Sequence, residues 1–387
     1  MGHINPTLSV GAELLKRGHE VNWLTLLKLP EESIPERSKF FLIEGEINHS
    51  FDNEQKQAKS QSKKTFGMES LVNLYENVLL PLNRYMYRGI SRLVDKISPD
   101  IIITDHQAFA GAICAYNKNI PYVTFVTAPA AIIQSRNFPK VIEWESEQII
   151  KLQKEFGIEL ETAIACSEML TVVFSSKKLI ADFDFPENYR LVGPVIENRP
   201  TVGTFNWEKL KKSTFPKVLV SIGSIIKEEQ DFFSKIILSF GNLPLTVVVV
   251  SNPKLFDHWP ENFIVQEHIP QIEVLSHVDA VICHGGHNTV CESLYYGVPV
   301  ITIPMVNDQS LVATQVVNAE CGIRLKFKRL TVQQLQVSLQ ELLCNNKYKK
   351  AAVAMSDSFK MAGGTKKTVD LLEEFALQAL TQKSQQA

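Results

Sequence analysis

The sequence predicts an α/β protein built from two Rossmann-like domains whose parallel sheets face each other across a cleft. Short β-rich runs alternate with amphipathic segments along the whole chain, which is the pattern of βαβ units. The 387 residues are too many for one typical domain and fit two. Near the middle, residues 193–216 contain several Gly and Pro residues and no clear period, which indicates a linker.

The first half predicts strands and helices in alternation after an opening helix. Pro6 near the start of that helix and Gly18 after its end are usual helix boundary signals. Helices are expected at residues 6–16, 68–97, 108–116 and 142–156. Strands are expected at residues 20–26, 100–104, 122–126, 170–174 and 190–192. Residues 31–65 are polar and irregular, and no element is predicted there.

The second half repeats the alternation with stronger strand signals. Strands are expected at residues 217–221, 245–250, 263–266, 280–283, 298–303 and 322–325. Helices are expected at residues 228–240, 288–296 and 309–319, and the last helix of the chain is expected at residues 365–379.

Composition excludes several classes of protein. The net charge of −2 gives no electrostatic reason to expect nucleic acid or an acidic membrane as a partner. The six cysteines are scattered without CxxC spacing, which argues against a zinc site and a disulfide framework and indicates a reducing compartment. Because no apolar run is long enough to span a bilayer, we expect a cytoplasmic protein without a transmembrane anchor.

The strand predicted at residues 280–283 ends at a Gly-Gly turn suited to phosphate. Gly285 and Gly286 allow the backbone to turn sharply, and the following helix presents free N–H groups and its positive dipole end. Asn288 and Thr289 in its first turn can donate to phosphate oxygens. Glu292 lies one turn beyond Asn288 and can accept from both hydroxyls of a ribose.

Further polar residues follow two other strands of the second half. Asp308 and Gln309 fall beyond a strand's carboxyl end, where ligands sit in open α/β sheets, and offer groups matched to sugar hydroxyls. Taken alone, this pair is more typical of a helix N-cap and its neighbour. His268 and Gln271 offer a ring and an amide on a loop, which is weak evidence for a base site when taken alone.

Residues 268–309, HIPQIEVLSHVDAVICHGGHNTVCESLYYGVPVITIPMVNDQ, resemble the nucleotide-sugar signature of GT-B glycosyltransferases. They resemble in particular the family that includes plant UDP-glycosyltransferases and bacterial macrolide glycosyltransferases. The family usually has Trp where this chain has His268. The resemblance implies that His268 and Gln271 hold the uracil and that Glu292 holds the ribose. It implies that Asp308 and Gln309 hold the sugar, and that the diphosphate is held by Gly223, Ser224, His284, Gly286, Asn288 and Thr289.

Residues 2–6, GHINP, resemble the GHxxP loop of the same family. The resemblance implies that His3 is the general base for the acceptor hydroxyl and that Asp105 orients it. An imidazole titrates near neutrality, and a carboxylate on its far nitrogen fixes the tautomer and offsets the developing charge. Taken alone, His3 is more typical of a disordered terminal residue, and Asp105 of a strand-end cap.

Relatives in this family carry an opening strand directly before GHxxP, and it lies centrally in their first sheet. We therefore expect the first N-terminal strand of a GT-B fold to be missing here, either because the sequence starts late or because the protein lacks it. A missing strand would leave apolar strand edges exposed and His3 on a frayed end.

The resemblance implies an inverting transfer of a hexose, foremost glucose, from a UDP-sugar to a hydroxyl of a small lipophilic acceptor. It assigns residues 1–200 to an acceptor-binding domain, 201–215 to a linker, 216–362 to the nucleotide-sugar domain, and 363–387 to a helix that packs back toward the first domain. No metal and no cofactor are expected, since the UDP-sugar is a co-substrate. A GT-B amino-sugar transferase, a UDP-sugar epimerase and a truncated non-catalytic nucleotide-sugar binder remain alternatives.

Overall fold

The computed structural model describes residues 2–26, 28–29, 34–43, 68–136, 138–181, 183–196, 205–223, 229–305 and 308–386. The chain divides into two compact units. The first unit comprises Met1–Phe174, Asp184–Arg199 and Gly363–Ala387, and the second comprises Ser175–Phe183 and Pro200–Ala362. Each unit contains parallel strands connected by helices, so the chain has the predicted α/β architecture with two Rossmann-like units.

The second unit contains a six-stranded parallel sheet with the strand order β12-β11-β10-β7-β8-β9. Its strands are β7 (Lys217–Ser221), β8 (Thr246–Val250), β9 (Phe263–Gln266), β10 (Ala280–Cys283), β11 (Val300–Thr302) and β12 (Gly322–Arg324). From β7 the chain adds β8 and β9 on one side of the sheet, and it then adds β10, β11 and β12 on the other side. The strand order therefore reverses between the neighbours β7 and β10, and ligands of open α/β sheets bind at the carboxyl ends of such a pair.

Helices cover this sheet because they carry apolar faces of helical period. Phe232, Phe233, Ile236 and Phe240 of one helix are fully buried and join a core with β7, β8 and β10. A capping box formed by Thr331 and Gln334 starts another helix that contributes to the same core. The helices of this unit are α7 (Lys177–Ile180), α8 (Trp207–Lys212), α9 (Gln230–Phe240), α10 (Gln271–Leu275), α11 (His287–Tyr295), α12 (Gln309–Asn318), α13 (Val332–Cys344) and α14 (Asn346–Met361).

The strands described in the first unit form two separate parallel sheets. One sheet pairs β1 (Asn22–Thr25) with β2 (Lys39–Leu42). The other has the order β3-β4-β5-β6, with strands Ile102–Asp105, Tyr122–Val126, Thr171–Val173 and Tyr189–Leu191. Asp105, the last residue of β3, pairs in register with Phe125 of β4, so the carboxyl ends of these two strands lie side by side.

The helices of the first unit are α1 (Ile4–Lys16), α2 (Met68–Leu74), α3 (Leu80–Ile97), α4 (Phe109–Asn117), α5 (Pro129–Arg136), α6 (Pro139–Glu155) and α15 (Gly364–Gln386). A π-helical turn, Tyr75–Leu79, joins α2 to α3. Val10 of α1 and Val369, Leu372 and Phe375 of α15 share one core with β4 and β5. The last helix of the chain is thus an integral part of the first unit's core.

Several local expectations differ from the structure. Strand β2 lies inside the stretch 31–65 for which no element was predicted, and most of the remaining residues of that stretch lie outside the described part of the chain. The predicted linker 201–215 contains α8, whose Leu210 is fully buried. Residues 175–183, predicted within the first domain, cluster with the second unit. Among the described residues, no helix combines the length and the apolarity needed to cross a membrane.

Candidate active site

Two glycine-containing turns meet where the strand order of the second unit reverses. Gly223 follows β7 with φ +77°, and His284-Gly285-Gly286 follows the neighbouring β10. A methyl group on Gly223 would lie 2.8 Å from Cε1 of His284, and one on Gly286 would lie 2.4 Å from its Nε2. Only glycine therefore leaves room for the imidazole against both turns.

The imidazole of His284 is held in its neutral form. Burial lowers the pKa of His284 and outweighs the Ser221 backbone and the Asp308 carboxylate, both of which raise it. A neutral imidazole carries one N–H, which can donate to a phosphate oxygen without adding a full charge to the site.

The helix α11 starts directly after this turn. Gly286 is its N-cap with extended backbone, and Asn288 and Thr289 lie half-buried in its first turn. The first N–H groups of the helix and its positive dipole end accordingly point toward the turn. The side chain of His287 is buried, and its Nε2 lies 3.4 Å from Sγ of Cys291 one turn along the helix.

Gln271 and Glu292 form a pair next to this turn. Nε2 of Gln271, the first residue of α10, donates to Oε2 of Glu292 on α11 over 2.6 Å. Glu292 is only 3 % exposed, so this hydrogen bond fixes the direction of a buried carboxylate. The residues predicted to hold the base and the ribose are therefore in direct contact, whereas His268, also predicted for the base, is exposed on the loop after β9.

Asp308 and Gln309 lie at the start of α12, close to the same turn. A methyl group on Gly285, whose φ is +84°, would lie 3.1 Å from the carbonyl oxygen of Gln309, so this glycine permits the close approach of α12. Oε1 of Gln309 accepts from the backbone N–H of Met305 over 2.9 Å. That oxygen links the first residue of α12 to the backbone of Met305, which is a structural role that the sequence interpretation did not include.

The second predicted cluster, His3 and Asp105, lies in the first unit. Nδ1 of His3, directly before α1, is 3.0 Å from Oδ2 of Asp105 at the end of β3. The other carboxylate oxygen of Asp105 accepts from the backbone N–H of Gln107 over 2.9 Å. The His3 side chain is 44 % exposed, whereas that of Asp105 is only 18 % exposed. The fixed carboxylate of Asp105 therefore orients the His3 ring, which stays accessible to solvent.

Thr127, which sequence reasoning missed, joins this pair. Its Oγ1 is 2.6 Å from Oδ2 of Asp105 and 2.7 Å from Nδ1 of His3. An ionised carboxylate only accepts, so the single hydroxyl proton of Thr127 goes to Asp105, and the hydroxyl oxygen accepts from His3. Nδ1 of His3 therefore carries the proton, and Nε2 carries the lone pair that a base needs.

His106, also missed, lies beside the same carboxylate. Its Nδ1 is 3.4 Å from Oδ1 of Asp105, and its ring stacks on that of His3 with centroids 5.7 Å apart. Burial acts to raise the pKa of Asp105, but the His106 and His3 rings reverse this and hold it well below its usual range. A signal for Thr127 was present, since it directly follows a buried strand next to β3.

The structure thus brings the predicted site residues into two groups, one in each unit. The second unit gathers Gly223, His284, Gly286, Asp308 and Gln309 around one turn, with Asn288 and Thr289 in the adjoining helix and the Gln271–Glu292 pair beside it. The first unit brings together His3 and Asp105. Ser224, predicted for the diphosphate, lies outside the described residues.

Comparison with known proteins finds a family model and relatives that match this chain. The family model described as UDP-glucoronosyl and UDP-glucosyl transferase matches residues 183–361. The uncharacterized UDP-glucosyltransferase YojK of Bacillus subtilis is 27% identical, and the alignment covers 100% of this chain and 96% of that protein. The NDP-glycosyltransferase YjiC of the same organism is 28% identical, with 97% of this chain and 94% of the relative covered.

Solved structures share the fold over nearly the whole chain. The glycotransferase of kitacinnamycin superimposes with a TM-score of 0.74 at 19% identity, covering 97% of this chain and 96% of that one. The spinosyn rhamnosyltransferase SpnG in complex with thymidine diphosphate gives a TM-score of 0.75 at 18% identity, covering 96% and 97%. The fold predicted from the sequence, GT-B with two Rossmann-like domains, is confirmed.

Proposed function

Because the chain is an enzyme of the UDP-glycosyltransferase family with the GT-B fold, we propose that it transfers a hexose, foremost glucose, from a UDP-sugar to a hydroxyl of a small lipophilic acceptor. The transfer inverts the anomeric centre. The observation that carries the proposal is the turn around His284, where two glycines, a helix start and a buried carboxylate surround one position at the strand-order reversal.

The donor half of the proposal assigns each group of that turn a partner. The α11 N-terminus and the neutral His284 donate to the diphosphate. Glu292, directed by Gln271, accepts from the ribose hydroxyls, and Asp308 accepts from a hydroxyl of the sugar. The side-chain amide oxygen of Gln309 already accepts from the backbone N–H of Met305. We therefore propose that Gln309 contacts the sugar only by donating from its amide nitrogen.

The acceptor half of the proposal gives His3 the role of general base. Nε2 of His3 removes the proton from the acceptor hydroxyl as the oxygen attacks the anomeric carbon on the face opposite the UDP. The proton on Nδ1 stays with Thr127 and Asp105, and the ionised Asp105 stabilises the imidazolium that forms. The electron pair of the broken sugar–oxygen bond leaves with UDP, whose charge is offset by the helix N-terminus.

Release of UDP tests the proposal. The wild type is incubated with one of three donors, UDP-glucose, UDP-N-acetylglucosamine or dTDP-glucose, and with a panel of lipophilic alcohols and phenols as acceptors. The variant His3→Gln is measured beside it. The control is His258→Gln, which changes an exposed histidine of the second unit. We expect acceptor-dependent UDP release from UDP-glucose that falls about 100-fold or more in His3→Gln and is kept in the control.

Calorimetric binding of UDP separates loss of chemistry from loss of the donor site. UDP affinity is expected to stay unchanged in His3→Gln, since His3 belongs to the other compact unit. Wild-type turnover in His3→Gln would contradict the role of His3. A preference for UDP-N-acetylglucosamine would favour an amino-sugar transferase, and UDP binding without turnover on any acceptor would favour a non-catalytic binder.

A further inference from the structure

The cluster around Asp105 contains three side chains of the kinds that bind metal ions. One ring nitrogen each from His3 and His106 and one carboxylate oxygen of Asp105 all lie within 4.8 Å of one another. Each histidine lies close to one of the two carboxylate oxygens: His3 Nδ1 is 3.0 Å from Oδ2, and His106 Nδ1 is 3.4 Å from Oδ1. Ligand atoms bonded tetrahedrally at zinc distances are about 3.3 Å apart, so small ring rotations suffice.

His106 gives an independent indication of a ligand. It is only 7 % exposed, and within the described part of the chain its Nε2 has no hydrogen-bond partner. Its Nδ1 lies 3.4 Å from Oδ1 of Asp105 but does not meet the geometry of a hydrogen bond. Buried polar groups are nearly always satisfied, because an unmade hydrogen bond in the interior is costly. A cation bound by His106 and Asp105 would satisfy one of these nitrogens.

The donor set selects the kind of cation. Two imidazoles and one carboxylate match three-ligand zinc sites that keep a fourth position open for water. Mg²⁺ and Ca²⁺ prefer oxygen ligands and are not suited to two imidazoles. The 44 % exposed side chain of His3 provides a side from which an ion can enter.

We propose that His3, Asp105 and His106 bind a zinc-like divalent transition metal ion and that this ion inhibits the transferase. The atom of His3 that faces the cluster is Nδ1, and a metal ion bound there replaces the Nδ1 proton. The ring then carries its one proton on Nε2, which has no lone pair left to act as a base. The same cluster is therefore competent for proton transfer when it is metal-free and blocked when it is loaded. The inhibition rests on the proposed role of His3, whereas metal binding does not.

Calorimetric titration of ZnCl₂ into chelator-treated full-length protein tests the site. We expect the wild type to bind one equivalent of zinc saturably. Zinc affinity should be weaker by about ten-fold or more in His106→Asn and in His3→Gln, which changes the exposed ligand of the site. Cys344→Ser serves as the matched control, since Cys344 is an exposed thiol that could bind zinc by itself. Absence of saturable binding, or equal binding in wild type and His106→Asn, would overturn the site.

Turnover measured in the same titration tests the inhibition. Zinc is expected to lower UDP release by the wild type and by Cys344→Ser, and excess chelator is expected to restore it. In His106→Asn the ratio of activities with and without zinc should move toward one. If the wild type binds zinc and its turnover is unchanged, the inhibitory role is overturned. The calorimetric titration still tests metal binding even if His3 proves not to be the base.

Discussion

A single hydroxyl proton fixes the hydrogen-bond pattern around His3. Thr127 is only 2 % exposed and lies within 2.7 Å of both His3 and Asp105. Without its hydroxyl, Asp105 alone would orient the ring from 3.0 Å. Thr127 thus positions the proposed base, His3. Thr127 and the Gln107 backbone in turn hold the carboxylate of Asp105.

Thr127→Val removes this hydroxyl while keeping the shape of the side chain. We expect kcat to fall about 10- to 100-fold, the equivalent of 1–3 kcal/mol for a buried polar contact left unmade. Thr127→Ser restores the hydroxyl and should recover most of the rate. Steady-state UDP release at saturating donor measures the effect, and unchanged UDP affinity shows that the second unit is intact. A Val variant as fast as the Ser variant would remove the positioning role.

Gly223, two residues after β7, lies against the imidazole of His284. The effect of this contact on UDP binding can be separated from the effect of backbone strain. Gly223→Ala adds a methyl group 2.8 Å from the imidazole in a left-handed backbone conformation with φ +77°. Gly157→Ala is the matched control, since Gly157 has φ +82° but a methyl group there meets nothing within 4 Å. Both substitutions carry the cost of about 1–2 kcal/mol for a left-handed alanine.

We expect UDP affinity to fall at least about ten-fold in Gly223→Ala, because the methyl group displaces His284 and removes the proposed charge-assisted hydrogen bond from His284 to the diphosphate. Gly157→Ala should lose stability but keep its UDP affinity. Calorimetry measures the UDP affinity of the two variants, and thermal melting measures their stability. Equal UDP affinity in both would show that the fit of His284 against Gly223 plays no part in donor binding.

Elements with a strong local signal were predictable from the sequence. Strands β4, β7, β9 and β10 occur with the expected bounds, since each is a short apolar run followed by turn residues. Helix α9 was predictable because its apolar residues recur at helical spacing. The turn at His284 was predictable because Gly-Gly after a buried strand and before a helix has few other uses.

Other elements depend on contacts that no local pattern records. Strand β2 has only four residues, and both of its ends are exposed. It is held by pairing with β1, where Phe40 stacks on Trp23 with ring centroids 4.8 Å apart. Trp23 in turn occupies the space above Gly11 of α1 and donates to Thr7, which fixes the helix that carries His3. Helix α8 lies in a Gly- and Pro-rich stretch but is held by the burial of Leu210.

Tertiary proximity also explains why the site around Asp105 was only half predictable. The Asp at the end of a strand and the His of the first loop were identified by resemblance, not by local pattern. Placing Thr127 beside Asp105 required the register of β3 and β4, which brings the carboxyl ends of the two strands together. His106 follows Asp105 directly in the sequence, but the position of its ring beside the carboxylate and the His3 ring is a feature of the structure. A sequence lists neighbours along the chain, whereas the hydrogen bonds of Thr127 reach 22 and 124 residues away.

The whole molecule is assembled from interleaved segments, because the chain returns to the first unit at Gly363. Gly363 and Gly364 have φ +97° and +53°, and the N–H of Gly364 donates to Val192 of the first unit over 2.7 Å. Arg17 of the first unit pairs with Asp370 and Glu373 on α15 at 2.7 and 2.9 Å. Two successive helices, α14 and α15, therefore belong to different compact units.

Two buried phenylalanines on these helices allow the units to be destabilised separately. Phe375 on α15 is 4 % exposed in the first unit, and Phe359 on α14 is 0 % exposed in the second. Each Phe→Ala change should cost about 3–5 kcal/mol. In calorimetric melting, UDP should raise only the transition of the second unit, since ligand binding stabilises the part that binds it. We expect Phe375→Ala to lower the UDP-insensitive transition and Phe359→Ala the UDP-sensitive one. A single transition lowered equally by both changes would mean that the two units unfold together.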